Sequence, residues 1–155
     1  MSHILEERIF RLEEPIALFF GPDEGFDADV TTTALRMLRE TTDYWRHWVR
    51  TLSVPLEWQA AVIRAAITLK LCAHEDTGAI VAALTTSIPE HAVEPGEAAR
   101  NWDYRYCWLR DAYYVVQALN RLGAADMLEN YLAYLRNLVD QVGESGRVQP
   151  VYGVG

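Results

Sequence analysis

Apolar residues follow two different patterns along the chain. From about Thr33 onward they recur at intervals of three and four residues, which is typical of amphipathic helices. This spacing predicts helices over residues 33–51, 55–72, 111–122 and 125–142. The residues predicted to face the core are Leu35, Leu38, Trp45, Trp48 and Leu52 in the first helix, Leu56, Ala60, Ile63 and Ile67 in the second, Ala112, Val115, Val116 and Leu119 in the third, and Leu128, Tyr131, Leu132, Leu135 and Val139 in the fourth.

The helix boundaries have local signals. Pro55 suits the first turn of a helix, where its missing N–H costs nothing, and Glu57 would complement the helix dipole there. Gly123 and Gly143 follow the third and fourth helical patterns and are predicted to end them.

The first part of the chain shows a different pattern. The run Ile16–Phe20 is short and rich in β-forming residues, and Gly21-Pro22 follows it. Residues 4–20 therefore predict one or two strands, and residues 23–29 predict an acidic loop.

Two other segments are predicted to be irregular. Residues 73–100 contain a turn signal at Thr77-Gly78 and breaks at Pro89 and Pro95-Gly96. So long a connection inside a helical chain is typical of a functional or a disordered segment. The tail GRVQPVYGVG is predicted to be extended.

Composition narrows the function classes. The 155 residues carry a net charge of −8, and half of them are apolar, which is typical of one globular domain. An acidic chain does not attract phosphate groups, so neither nucleic acid nor an anionic membrane is an expected partner. No apolar run is long enough to span a bilayer, and the N-terminus lacks the pattern of a secretion signal.

Cysteine and histidine usage adds little chemistry. Cys72 and Cys107 lack metal-ligand spacing and are predicted to be reduced thiols, so a cytoplasmic location is expected. No metal site and no cofactor are predicted, because the histidines are scattered. They are His3, His47, His74 and His91.

The segment Asn101–Ala112, NWDYRYCWLRDA, concentrates the chemistry. If it is extended, its alternate residues Trp102, Tyr104, Tyr106 and Trp108 project to one side. The period alone fits a half-buried strand equally well. However, rings with hydrogen-bonding tips beside an Arg-Asp pair suit a ligand with an apolar face and a rim of hydroxyls, and a sugar is such a ligand.

The sequence of this segment and of the residues around it resembles a known family. TGAIVAALTTSIPE (77–90) followed by RNWDYRYCWLRDA (100–112) resembles the hallmark region of glycoside hydrolase family 15, and QPVYGV (149–154) is similar to that family's next loop. The family contains glucoamylases, glucodextranases and certain bacterial α,α-trehalases.

The resemblance implies a mainly α fold. The chain would hold about the first third of an (α/α)6 barrel of helical hairpins, preceded by one or two strands from the end of a β-sandwich. The implied domains are a remnant of the β domain at 1–28, a linker helix at 29–54 and the first part of the catalytic domain at 55–155.

The resemblance also implies roles for four residues. Arg110 and Asp111 would hydrogen-bond the outer hydroxyls of the glucose at the non-reducing end, Trp108 would pack beside that sugar, and Tyr104 would lie near the catalytic water. Family members cleave terminal α-linked glucose with inversion, using two glutamates as general acid and base.

Both glutamates are expected beyond Gly155, so no catalytic residue is expected within this chain. Glu90, Glu94 and Glu97 lie in a proline-rich loop and are predicted to face solvent.

Two function classes follow. In the first, the chain is part of an inverting hydrolase acting on an α-glucoside or trehalose, and is inactive alone. In the second, it is a non-catalytic helical module that binds sugar or a partner protein. In either case, apolar helix faces left exposed by an incomplete barrel would favour self-association.

Overall fold

The computed structural model describes residues 6–9, 11–21, 25–91, 94, 99–143 and 146–154. The chain divides into two compact units, Met1–His47 and Trp48–Gly155. The described residues are mainly helical, and the helices are α1 (Val30–Thr51), α2 (Gln59–Leu71), α3 (Leu109–Arg121) and α4 (Ala125–Val142). Two short strands, β1 (Cys107–Trp108) and β2 (Val151–Tyr152), pair in antiparallel fashion.

The strands predicted over residues 4–20 are absent from the described residues of that range, so this prediction is wrong for them. Ile4, Leu5 and Phe10 lie outside the described residues. A strand needs a neighbouring edge for its hydrogen bonds, and the sheet among the described residues consists of β1 and β2 and does not include this segment. Phe20 is fully exposed, so a β-forming sequence has no sheet here to pack against.

Helix α1 begins three residues earlier than predicted, because Asp29 caps it. The Asp29 carboxylate accepts a hydrogen bond from the Thr32 N–H at 3.0 Å. Hydrogen bonding from the Thr32 side chain, followed by that from its N–H, lowers the pKa of Asp29. The predicted stripe holds only at its end, where Trp48 and Leu52 are buried, whereas Leu35 and Leu38 are exposed.

Helix α2 begins at Gln59 and not at Pro55. Trp58 takes a left-handed backbone conformation with φ of 60°, which cannot continue a helix, so the residues before it are irregular. The predicted inward residue Leu56 is 93% exposed, and the side chains that α2 buries are Ala66 and Lys70. Lys70 hydrogen-bonds Glu75 at 3.3 Å.

The connection after α2 contains no helix in its described residues, as predicted. It first turns back on itself, with Ala73 bridged to Ile80 and Gly78 at a φ of 78°. The turn packs closely against α4, since a Cβ atom on Gly78 would overlap the backbone carbonyl of Asn130.

Helices α3 and α4 form the predicted antiparallel hairpin. Helix α4 has the predicted bounds, and Gly123 ends α3 at a positive φ of 89°. Helix α3 buries Ala112, Val116 and Leu119.

The buried face of α4 agrees with the prediction at Tyr131 and differs from it at other positions. Its buried residues are Met127, Tyr131, Tyr134 and Leu138, whereas Leu132 and Val139 are exposed. The helix is turned so that two tyrosine hydroxyls meet backbone carbonyls: Tyr131 donates to Leu109 at 3.0 Å and Tyr134 donates to Gly153 at 2.7 Å. None of the helices in the described part of the chain combines the length and the apolar character needed to cross a bilayer.

The close approach of Gly78 to α4 leads to a prediction about stability. Replacing Gly78 by alanine adds both a positive-φ penalty and an overlap with the Asn130 backbone, so it should lower the free energy of unfolding by at least about 2 kcal/mol. Gly123→Ala is the matched control, because it has positive φ but its added Cβ would lie 3.6 Å from Ser53 Oγ. That variant should lose only about 1 kcal/mol. Urea unfolding measures both, and equal losses would contradict the proposed overlap.

One of the two buried tyrosines of α4, Tyr131, leads to a prediction of destabilisation at alkaline pH. Burial, with a smaller contribution from Cys107, raises the pKa of Tyr131 to about 12. In the unfolded chain a tyrosine ionises near pH 10, so between about pH 10 and 12 the unfolded state binds fewer protons than the folded state. The free energy of unfolding should therefore fall as pH rises through this window.

Tyr131→Phe should flatten that fall in urea unfolding curves collected between about pH 9 and 12. Tyr113→Phe, which alters a half-exposed ring on α3, should leave the slope as it is. An unchanged slope in Tyr131→Phe would refute the assignment of the fall to this residue.

Candidate functional site

The motif Asn101–Trp108 is held extended by a neighbouring segment. The Tyr104 N–H donates to the Thr85 carbonyl at 3.0 Å, and the Tyr104 carbonyl accepts from the Ala83 N–H at 3.0 Å. A further bond joins the Ala82 N–H to the Tyr106 carbonyl at 3.1 Å. Residues 82–90 and 100–106 thus run side by side in opposite directions, and this fixes which way the motif's side chains point.

The predicted alternation holds for most of the motif. The ring of Trp108 lies 6.1 Å from that of Tyr104 and 6.5 Å from that of Tyr106, measured between centroids. Cys107, between them, is fully buried, and burial raises the pKa of its thiol. Asp103 and Arg105 form a two-bond ion pair with both bonds at 3.0 Å, which lowers the pKa of Asp103.

The tail of the chain completes the site. In the β1–β2 pair, Trp108 lies opposite Val151, and the Leu109 N–H donates to the Pro150 carbonyl at 3.1 Å. This pairing brings residues 148–150 beside the start of α3. They line a cavity of about 430 Å³ whose wall consists of Trp108, Leu109, Arg110, Asp111, Val148, Gln149 and Pro150.

Three of the four predicted binding residues therefore share one cavity. Arg110 and Asp111 occupy the first turn of α3, where their side chains pair at 3.2 Å while staying 79% and 45% exposed. An exposed ion pair of this kind is held weakly. Its donors and acceptors are available to a ligand rich in hydroxyl groups.

Tyr104, the fourth predicted residue, does not line the cavity but touches Trp108, which does. Its hydroxyl donates a hydrogen bond to the Glu90 carboxylate. This bond, followed by desolvation and the carboxylate's charge, raises the pKa of Tyr104. Glu90 is exposed, as predicted, yet its link to the motif was missed because the two residues meet only when the two segments run side by side.

The contribution of residues 148–152 to the site was also not predicted from the sequence. The sequence indicated that QPVYGV is extended, but not that it pairs with Cys107–Trp108. Tyr152 also accepts a hydrogen bond from the Gln149 N–H at 2.7 Å, which fixes the tail where it borders the cavity. The sequence signal for this pairing was two short runs with apolar and aromatic residues, Cys107–Trp108 and Val151–Tyr152. Runs of two residues are too short to identify which strands pair.

Two other cavities contain none of the motif's aromatic residues. One of about 360 Å³ lies between the turn at residues 75–78 and α4, away from the motif. Another, of about 270 Å³, is mostly apolar and has Asp111 among its lining residues. Within the described ranges, no group of three or more histidine, cysteine or carboxylate side chains could hold a metal ion.

Comparison with known proteins identifies the motif's relatives. A trehalase of Thermoplasma volcanium is 40% identical over 119 residues, covering 76% of this chain and 18% of the relative. A trehalase of Thermoplasma acidophilum is 38% identical over 76% of this chain and 19% of its own length. A trehalase of Mycobacterium tuberculosis is 38% identical over 75% of this chain and 17% of its own length.

The chain thus spans less than a fifth of these curated relatives. No solved structure matches it significantly. The profile of the glycosyl hydrolases family 15 matches residues 58–153, which include both strands, the motif and the whole α3–α4 hairpin. On this match, and in agreement with the resemblance seen in the motif, the chain belongs to glycoside hydrolase family 15.

Proposed function

We propose that the protein containing this chain hydrolyses a terminal α-glucosidic bond with inversion, and that α,α-trehalose is its substrate. The observation that carries the proposal is the cavity beside β1, where an indole ring and an Arg-Asp pair form one wall. The relatives named trehalase support the choice of substrate.

The three wall residues offer different interactions. Trp108 presents an apolar ring that can pack on the C–H face of a pyranose. Arg110 offers several N–H donors in a fixed fork, and Asp111 offers carboxylate acceptors. Because each sugar hydroxyl both donates and accepts, adjacent hydroxyls can replace the Arg110–Asp111 contact with two charge-assisted hydrogen bonds.

Tyr104 lies one ring away from this wall. We propose that it acts near the water that attacks the anomeric carbon. Inverting hydrolysis needs two carboxyl groups roughly 6.5–9.5 Å apart, one to protonate the leaving oxygen and one to activate the water. Asp111 is committed to Arg110 and Glu90 to Tyr104, so we propose that neither of them fills these roles and that the catalytic pair comes from outside these residues.

The domain division is part of the same proposal. Residues 1–28 would end a β domain, residues 29–54 would connect it, and residues 55–155 would begin an (α/α)6 catalytic domain. The half-exposed Leu71, Leu132 and Val139 would then face other helices of that barrel.

The anomer of the product tests the reaction. Inversion at one carbon of α,α-trehalose releases one β-glucose and one α-glucose, which proton NMR separates before mutarotation mixes them. The complete polypeptide that carries these 155 residues should give equal early signals of both anomers. The isolated chain should release no glucose. Early α-glucose alone would overturn inversion, and glucose release by the isolated chain would overturn the placement of the catalytic pair.

Removal of either charged wall residue should reduce catalysis. In the complete polypeptide, Arg110→Ala or Asp111→Ala each removes a charge-assisted bond to the terminal glucose. The expected loss is about 1.5–3 kcal/mol of transition-state stabilisation, hence a fall in kcat/KM of roughly ten- to several-hundredfold.

Two variants control for charge and helix position. Arg121→Ala lies at the far end of α3, and Asp140→Ala lies on an exposed face of α4. Both should retain kcat/KM. If Asp111→Ala also kept full activity, the proposed sugar contact would be wrong.

The indole of Trp108 should matter less than the charged pair. Trp108→Phe keeps an aromatic face for the sugar but loses the ring N–H donor. We expect a fall in kcat/KM smaller than that of either alanine variant, measured on trehalose in the same assay. A loss larger than that of Arg110→Ala would assign the main binding role to the indole N–H.

A further inference from the structure

The hydroxyl of Tyr104 has a carboxylate partner that the family resemblance did not assign. The Tyr104 hydroxyl donates a hydrogen bond to the Oε1 atom of Glu90, fourteen residues earlier in the chain. Among the described residues, this bond links an aromatic side chain of the motif to a charged group.

The backbone holds both members of this pair. The Glu90 N–H donates to the Arg100 carbonyl at 3.0 Å, and Pro89 is bridged to Asn101. Tyr104 is fixed by its own two backbone bonds to Ala83 and Thr85. Two paired segments therefore bring the two residues close together, and the Glu90 side chain reaches the phenol from there.

The bond changes what Tyr104 can do. The Tyr104 O–H is already used in its hydrogen bond to the carboxylate, so the hydroxyl has only oxygen lone pairs left for other partners. It can therefore accept a further hydrogen bond but cannot donate one. The raised pKa of Tyr104 agrees with this, because the carboxylate favours the protonated phenol. The Tyr104 ring also contacts Trp108, which lines the cavity.

We propose that Glu90 is a positioning residue that orients the Tyr104 hydroxyl as an acceptor for a water molecule or sugar hydroxyl at the reacting end of the site. This inference rests on the proposed glycosidase function. A water that donates one hydrogen bond to Tyr104 has fewer orientations open to it, which lowers the entropy cost of its attack on the anomeric carbon.

A mutant cycle in the complete polypeptide tests the inference, with kcat/KM for trehalose as the readout. Glu90→Ala should reduce kcat/KM about tenfold, the effect of one lost charged hydrogen bond. In a Tyr104→Phe background the same change should have no further effect, because the partner is already gone. Glu90→Gln keeps an acceptor oxygen and should recover much of the loss.

A titration of the isolated chain supplies a readout that does not need catalysis. Site-resolved NMR of the tyrosine rings should show that Glu90→Ala lowers the pKa of Tyr104. Glu129→Ala, which removes an exposed carboxylate from α4, should change neither the titration nor kcat/KM.

The outcomes separate the two proposals. Full activity in Arg110→Ala and Asp111→Ala would overturn the proposed site. If those variants lose activity while Glu90→Ala keeps it, or if Glu90→Ala costs as much without the Tyr104 hydroxyl as with it, the role of Glu90 is overturned and the site stands. An unchanged Tyr104 titration in Glu90→Ala would likewise overturn it.

Discussion

The site depends on the satisfaction of backbone polar groups along one extended segment. Residues 104–109 lie between the chain's irregular connection on one side and its tail on the other. An extended segment with unpaired N–H and C=O groups would be costly to bury. Here Ala83 and Thr85 pair with Tyr104, Pro150 pairs with Leu109, and the Leu109 carbonyl accepts the hydroxyl of Tyr131.

The two tyrosines of α4 connect this segment to the helices. Their rings stack with centroids 6.2 Å apart, and each hydroxyl reaches a different piece of backbone, Leu109 at the start of α3 and Gly153 in the tail. A phenylalanine could fill the same space, but it would leave both carbonyls without these donors. Thr77 adds a second bond to the tail, to the Val154 carbonyl at 2.6 Å, so helix, turn and tail are fixed together around the motif.

Elements with local signals could be predicted from the sequence. Helix α4 has its predicted bounds because its regular apolar spacing lies between two glycines at positive φ, Gly123 and Gly143, and Gly123 also ends α3. The predicted start of α2 at Pro55 was wrong, because the left-handed conformation of Trp58 separates that proline from the helix. The buried face of α4 was predicted correctly at Tyr131 but not at Leu132 and Val139, which are exposed. Tyr134 is buried instead, and its hydroxyl bonds to the distant Gly153 carbonyl, a contact that the apolar spacing does not reveal.

The candidate site shows the same division between local and distant information. Trp108, Arg110 and Asp111 are close in sequence, and the start of α3 keeps them close in space, so the motif alone could group them. Glu90 and the tail residues reach the site only through strand-like pairing between distant segments, for which single residues carry no signal. Pairings between distant segments also carry a loop-closure entropy cost during folding that the turns of a helix do not.

The charged pair at the start of α3 combines opposite preferences. Asp111 lies where the helix dipole favours a negative charge, whereas Arg110, beside it, lies where the dipole opposes a positive one. The contact between them offsets that opposition for Arg110, and solvent exposure keeps the contact weak. A ligand hydroxyl that accepts from Arg110 and donates to Asp111 preserves both favourable interactions. The pair is therefore kept in place without a ligand and can exchange its internal bond for two external ones at small cost.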